Sequence, residues 1–215
     1  VIRSGERSLI VLVRHGETVA NAGGLLQGRR DLGLTERGRR QAAALAVALA
    51  PVCARGATVV TSPLRRARET AEAFGRPARV DERWIELDYG EFDGRGALET
   101  RAALRQGWHD PDWAPPGGES LAAVSRRVEA ACEEFATLHD PSAPDVIVVT
   151  HVSPIKATAA WALGTGPEVA WRMFVDLASI TTVAIGEGRI PLLTSFNQTA
   201  HLGAGERQEP PSTPR

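Results

Sequence analysis

Three short stretches combine arginine or histidine with the start of a turn: Arg14-His15-Gly16-Glu17-Thr18, Thr61-Ser62-Pro63-Leu64-Arg65 and Thr150-His151-Val152-Ser153-Pro154. A guanidinium is a planar fork of donors that matches the oxygens of a phosphate. A neutral imidazole offers one lone pair and one N–H. Brought together, Arg14, Arg65, His15 and His151 would hold a doubly charged group such as a phosphomonoester. Ser62-Pro63 and Ser153-Pro154 strengthen this, because serine before proline is a helix-start pattern, and a helix start presents unpaired N–H groups to an anion. Each residue alone also fits a solvated or locally bonded role. Arg65, Arg66 and Arg68 equally suit an exposed helix face pairing with Glu69 and Glu72. Recurrence at three comparable places is what points to an anion site.

Each stretch follows a short apolar run, and those runs must position it. Leu9 to Val13, Ala57 to Val60 and Val146 to Val149 are rich in β-branched residues and apolar on both alternating faces, as strands buried between two helix layers are. Helical patterns at about 36–50, 63–74, 121–138 and 154–163 lie between them. The alternation predicts an α/β fold with a mostly parallel central sheet and helices on both faces. In such sheets ligands bind beyond the carboxyl ends of the strands, where the three stretches lie. Val169 to Leu177, Ile180 to Ile185 and Ile190 to Thr194 read as short strands around a Gly186-Glu187-Gly188 turn, an antiparallel edge. Residues 88–119 are rich in Gly, Pro, Trp and acids and read as an excursion over the sheet, with one helix near 96–106. The expected domain runs over 1–202, followed by a disordered tail at 203–215.

Composition narrows the classes. The chain has 215 residues and a net charge of −1, which suits one α/β domain and gives no sign of a nucleic-acid or membrane partner. No apolar stretch approaches the ~18 residues that span a bilayer, and the polar start lacks a signal-peptide pattern, so a cytoplasmic location is expected. Cys53 and Cys132 are too few and too far apart for a disulfide framework. Lys156 is the only lysine, a skew toward arginine that base composition alone can produce.

Arg14-His15-Gly16-Glu17-Thr18 resembles the opening signature of the histidine phosphatase superfamily, which includes the cofactor-dependent phosphoglycerate mutases. Asn21 and Gln27-Gly28 fall where that family contacts phosphate. Ser62 to Thr70 resembles its second motif, Glu86 to Gly94 its third and Thr150-His151 its fourth. Order and spacing agree from about Leu9 to Leu202. The resemblance implies a phosphoglycerate mutase-like fold and a phosphomonoester hydrolase with no cofactor and no metal. It makes His15 the nucleophile that becomes phosphohistidine. Arg14, Arg65 and His151 would hold the phosphoryl oxygens, with Asn21, Gln27, Gly28 and Val152 lining the substrate. Glu86 becomes the general acid and base. Its placement has local support, since a strand through 84–89 would put Trp84, Glu86 and Asp88 on one face. Asp88 is the rival acid; Glu91 and Asp93 are expected to cap the following turn.

One departure stands out: the family commonly has glycine where Val152 follows His151. His151 to Lys156 looks like a subgroup of acid phosphatases, some fused to a ribonuclease H domain. Pro115 to Ser120 is similar to a motif of α-ribazole-phosphatase-like and broad-specificity phosphatases. Both lean away from a mutase, as does an excursion whose cations are only Arg95, Arg101 and Arg105. His109-Asp110, before Pro111, lacks the second histidine of a helical metal motif. A catalytically silent domain on the same fold is the remaining alternative. The expected partner is a small-molecule phosphomonoester, with Leu25, Leu26, Tyr89, Phe92, Trp108 and Trp113 lining its pocket or packing the excursion. Family members form monomers, dimers and larger assemblies, so a homodimer is among the expectations.

Overall fold

A computed structural model describes residues 8–137, 145–186 and 188–207. Six strands form one sheet in the order β3-β2-β4-β1-β5-β6. They are β1 (Ser8–Arg14), β2 (Thr58–Thr61), β3 (Ala78–Val80), β4 (Val146–Thr150), β5 (Ile180–Ile185) and β6 (Leu192–Gln198). The pairs β1–β4, β4–β2 and β2–β3 are parallel, while β5 runs antiparallel to β1 and to β6. The sheet is therefore mostly parallel with an antiparallel edge, as the apolar runs predict.

The alternation of side chains along a strand divides the core in two. Ile10, Leu12 and Val148 face one layer, with α5 (Leu121–Thr137) and α6 (Val152–Leu163) packed over them through Val124, Val128 and Ile155. Val11, Val13, Ile147 and Val149 face the other, under α2 (Glu36–Ala54) and α3 (Arg65–Glu72) through Leu45, Leu49, Ala67 and Ala71. Short helices α1 (Val19–Ala22) and α4 (Ala97–Leu104) lie in the connections.

Several expectations need correction. Residues 84–89 form no strand: a 3-10 turn spans Glu82–Trp84, started by the Asp81 carboxylate accepting from Arg83 N–H. Trp84 turns fully into the core and stacks on Phe135, away from the polar surface expected for it. Pro167–Arg172 is a 3-10 turn begun by proline, where a strand was expected from Val169. Trp171 on that turn donates to the Gly107 carbonyl at 3.0 Å and so docks the excursion. The last strand begins at Leu192. The chain also stays engaged past residue 202. Gln41 donates to the Glu206 carbonyl at 2.7 Å, and Arg40 pairs with the Glu206 carboxylate at 2.8 Å, so packing reaches at least that far. Glu187, the centre of the expected turn, and residues 208–215 lie outside the described residues, as does the Trp108 side chain.

Candidate active site

The parallel register determines which residues meet. Arg14 lies beside Thr150, and Thr61 beside Val149, so the residues that follow β1, β2 and β4 emerge together. Main-chain bonds extend the ladder one step: His15 N–H donates to the Thr150 carbonyl at 3.0 Å, and Ser62 N–H to the Val149 carbonyl at 3.0 Å. The two imidazoles then face each other with ring centroids 5.1 Å apart. His15 and His151 are both buried.

The His15 ring is held in one form. Nδ1 lies 2.7 Å from the Gly16 carbonyl oxygen, which can only accept, so Nδ1 carries the proton. The opposite nitrogen, Nε2, keeps its lone pair and accepts from Arg66 Nε at 3.2 Å. Burial holds the His15 imidazole well below the usual histidine range, and the cations Arg66 and Arg14 push it the same way. The ring is neutral with an available lone pair. Gly16 is required here by close approach: a Cβ at this position would strike the backbone of Gly38 at the start of α2.

Arg66, not Arg65, supplies the second arginine. Helical phase decides it: Arg66, Ala67, Thr70 and Ala71 share the buried face of α3. Arg65 points outward, with a side chain 58% exposed and paired to Glu69. Arg66 is fully buried, and beyond His15 it donates to the Gly28 carbonyl at 2.7 Å and the Arg30 carbonyl at 3.0 Å. Asp93 sets those carbonyls in place, because its carboxylate accepts from the N–H groups of Gly28, Arg29 and Arg30. Asp93 thus braces a loop distant in sequence, beyond the local cap expected of it. Arg14 donates to the Val175 carbonyl at 2.6 Å. Burial lowers both guanidinium groups to about 10, which leaves them charged near neutrality.

His151 adds a further donor. Its Nε2 is 2.7 Å from Ser62 Oγ, which itself accepts from Leu64 N–H. With that hydroxyl donating to Nε2, the ring proton sits on Nδ1, a buried atom without a hydrogen-bond partner among the described residues. This atom lies in the ring that faces His15, where it could bond an incoming anion. Burial and the neighbouring cations keep this ring, too, below the usual range.

Glu86 occupies the helix start that was expected to take phosphate. Its carboxylate accepts from Val152 N–H at 3.1 Å, Ser153 N–H at 3.2 Å and its own neighbour Leu87 N–H at 2.7 Å. The α6 helix begins at Val152, so Ser153 is inside it and is no cap. The Val152 N–H that could have met substrate is thereby engaged, and its side chain faces a cavity below. Thr150 Oγ1 donates to the Trp84 carbonyl at 2.6 Å, fastening the segment that carries Glu86 to β4. Asp88 pairs with Arg29 and stands apart.

The remaining expected residues shape the loop. Thr18 Oγ1 lies 3.0 Å from Asn21 Oδ1 and 2.6 Å from Gln27 Oε1, and Gln27 Nε2 donates to the Arg30 carbonyl. Glu17 turns toward α2, bonded to Thr35 and Arg37. Ser62, expected to cap a helix at Pro63, instead pairs with His151, because α3 starts only at Arg65; Arg66, Asp93 and Thr70, whose hydroxyl accepts from Gly16 N–H, were not among the expected site residues. The buried-face spacing at 66, 67, 70 and 71 was the available signal for Arg66.

A buried neutral histidine among fixed cations, opposite a carboxylate held at a helix start, defines a class of phosphoryl-transfer site. The chain belongs to the histidine phosphatase superfamily (branch 1), whose family pattern matches residues 10–199. It is 35% identical over 208 residues to a bifunctional protein of Mycobacterium tuberculosis, covering 92% of this chain and 56% of that relative, so it spans about half that protein's length. It is 34% identical over 203 residues to phosphoserine phosphatase 1 of Hydrogenobacter thermophilus, covering 90% of this chain and 94% of the relative. Among solved structures, mycobacterial glucosyl-3-phosphoglycerate phosphatase superposes with a TM-score of 0.76 at 30% identity, over 90% of this chain and all of that one. No group of three or more His, Cys, Asp or Glu side chains suited to a metal occurs among the described residues. Nor is any described helix long and apolar enough to cross a membrane.

Proposed function

We propose that the protein hydrolyses a small phosphorylated metabolite through a phosphohistidine on His15, without a metal. The observation that carries this reading is the His15 ring itself, with Nδ1–H bonded to the Gly16 carbonyl and the Nε2 lone pair aimed into a cluster of cations. A bound phosphoryl group would displace the weak contact between Arg66 Nε and Nε2 and accept bonds from Arg66, Arg14 and His151 Nδ1. His15 Nε2 then attacks phosphorus in line with the ester oxygen. Glu86 enters the step protonated on Oε2, the oxygen that accepts only one N–H bond, and as the P–O bond breaks it gives that proton to the departing oxygen. Water next attacks the phosphohistidine, Glu86 recovers a proton from it, and the P–N bond breaks to release phosphate and restore the neutral ring. Fixed donors aimed at the equatorial oxygens contribute most where little covalent chemistry is left to the protein.

The relatives named for phosphoserine and glucosyl-3-phosphoglycerate support the substrate class, a small phosphomonoester. Asn21 and Gln27 act in this reading by holding the loop whose Gly28 carbonyl aims Arg66. Phosphate release from a panel of phosphomonoesters by the purified protein, with and without prior chelation, tests the proposal. Release that survives chelation and disappears in His15→Ala is expected; equal release by the two proteins would overturn it. A phosphoglycerate-type mutase would share the nucleophile, and isomerisation of 3-phosphoglycerate outpacing phosphate release would favour that reading instead.

A further inference from the structure

A small cavity of about 70 Å³ opens beside Glu86, walled by Leu87, Tyr89, Trp113, Val152 and Trp171, with Lys156 on its floor. Lys156 follows Val152 by one turn of α6 and Ser153 by slightly less, so the cavity runs down the helix from the Glu86 carboxylate. The setting is mostly apolar, and no carboxylate pairs with Lys156 among the described residues. Glu119, which also lines the cavity, is bound by Arg127 at 2.9 Å and by Arg29. Glu86 is bound by three N–H groups. A half-buried ammonium without a partner is costly unless a ligand brings the opposite charge.

We infer that Lys156 anchors a carboxylate on the leaving-group side of the substrate, so that the enzyme selects phosphorylated hydroxy acids over neutral phosphomonoesters. This rests on the phosphatase reading above and narrows it. The geometry sets the size. An ester oxygen protonated by Glu86 would sit at the helix start, and the Lys156 backbone lies one turn further along the axis, ~5 Å away, with its side chain lining the same cavity. A cavity of this size suits a short hydroxy acid. Val152 also lines this cavity.

The groups facing Lys156 make the selection depend on pH. Burial lowers the ammonium to about 8, with Glu86 opposing that shift and Arg14 adding to it. Arg14, lowered only to about 10, stays charged between pH 7 and 9. Tyr89, pushed up by burial, stays neutral over that range, and Glu119, held low by Arg127, stays ionised. Raising the pH through this window therefore removes the anchor's charge.

The test compares 3-phosphoglycerate with glycerol 1-phosphate, which carries a hydroxymethyl in place of the carboxylate. Their phosphates ionise alike, so the ratio of their kcat/KM values isolates the anchor. The expected ratio for the natural protein favours 3-phosphoglycerate at least tenfold at pH 7 and falls toward unity by pH 9.5. In Lys156→Met the ratio collapses at pH 7 through a raised KM for 3-phosphoglycerate, whereas Lys156→Arg retains it at both pH values. A ratio unmoved by Lys156→Met, equal losses on both substrates, or a ratio in the natural protein that ignores pH would overturn the anchor while leaving the phosphatase standing. Failure of the natural protein to release phosphate from either substrate would overturn both.

Discussion

His15, Arg14 and Arg66 are each held by main-chain carbonyls, whereas the cavity below Glu86 is walled by side chains from several separate segments. On the first side, β1 and β4 lock together residue by residue, and every polar side chain has a geometric reason for its direction. On the second, the excursion is joined to the body mostly through loop and side-chain bonds, such as the Trp171 bond to Gly107, the Glu119–Arg127 pair and the Asp93 bonds to Gly28, Arg29 and Arg30. Glu86 stands on the border, bonded to the start of α6 beside the cavity. In the proposed mechanism the groups that meet phosphorus are held by main-chain bonds, while those facing the alcohol come from side chains of the cavity. The two sides should respond differently to mutation.

His15→Ala should show the largest effect, a loss of kcat/KM of at least ~10³-fold on every phosphomonoester, since the nucleophile has no substitute. A second contrast lies within one helix. Arg66→Ala should cost about 10²-fold or more by initial-rate assay, as losing one fixed donor to a developing charge does. Arg65→Ala should stay within about twofold. Equal losses at the two positions would erase the distinction between them.

Glu86→Ala should depend on the leaving group. A loss of about 10²-fold is expected with an alkyl phosphate, and a much smaller one with 4-nitrophenyl phosphate, whose oxygen leaves without a proton. A uniform loss would mean that Glu86 only supports structure. Asp93→Ala is expected to reduce turnover about tenfold, by loosening the Gly28 and Arg30 carbonyls that aim Arg66. In an Arg66→Ala background that substitution should add little, since coupled residues are not additive.

The smallest effect concerns stability. His15 and His151 titrate below their unfolded value, so the unfolded chain binds more protons as the pH falls through about 6.5. Stability conferred by the neutral rings is therefore fully present above that point and declines below it. Each histidine contributes at most about 1.4 kcal/mol per pH unit. Urea midpoints between pH 7.5 and 5 would register the decline, and His151→Gln should flatten it.

Legibility in the sequence followed the same division. The unbroken apolar runs before His15 and His151 point to buried parallel strands, and the structure brings the two imidazoles together where those strands end. Arg65 follows the strand end more closely in sequence, but the helical phase of α3, with Ala67, Thr70 and Ala71 on its buried face, turns Arg66 inward and Arg65 outward. The strand expected through 84–89 failed because alternation treated Trp84 as a surface neighbour of Glu86, while tertiary packing against Phe135 drew it into the core. Asp93 was invisible as a brace, since its partners lie more than sixty residues away. Lys156 can be counted from sequence, but that no carboxylate pairs with it among the described residues is a fact of three dimensions.

Rapid quenching of the protein during turnover of a 32P-labelled phosphomonoester, followed by peptide mapping, tests the central claim most directly. The account predicts label that survives alkali and is lost in acid, carried on the peptide containing His15 and absent from His15→Ala. Label on a serine or an aspartate, or on His15→Ala protein, would contradict it.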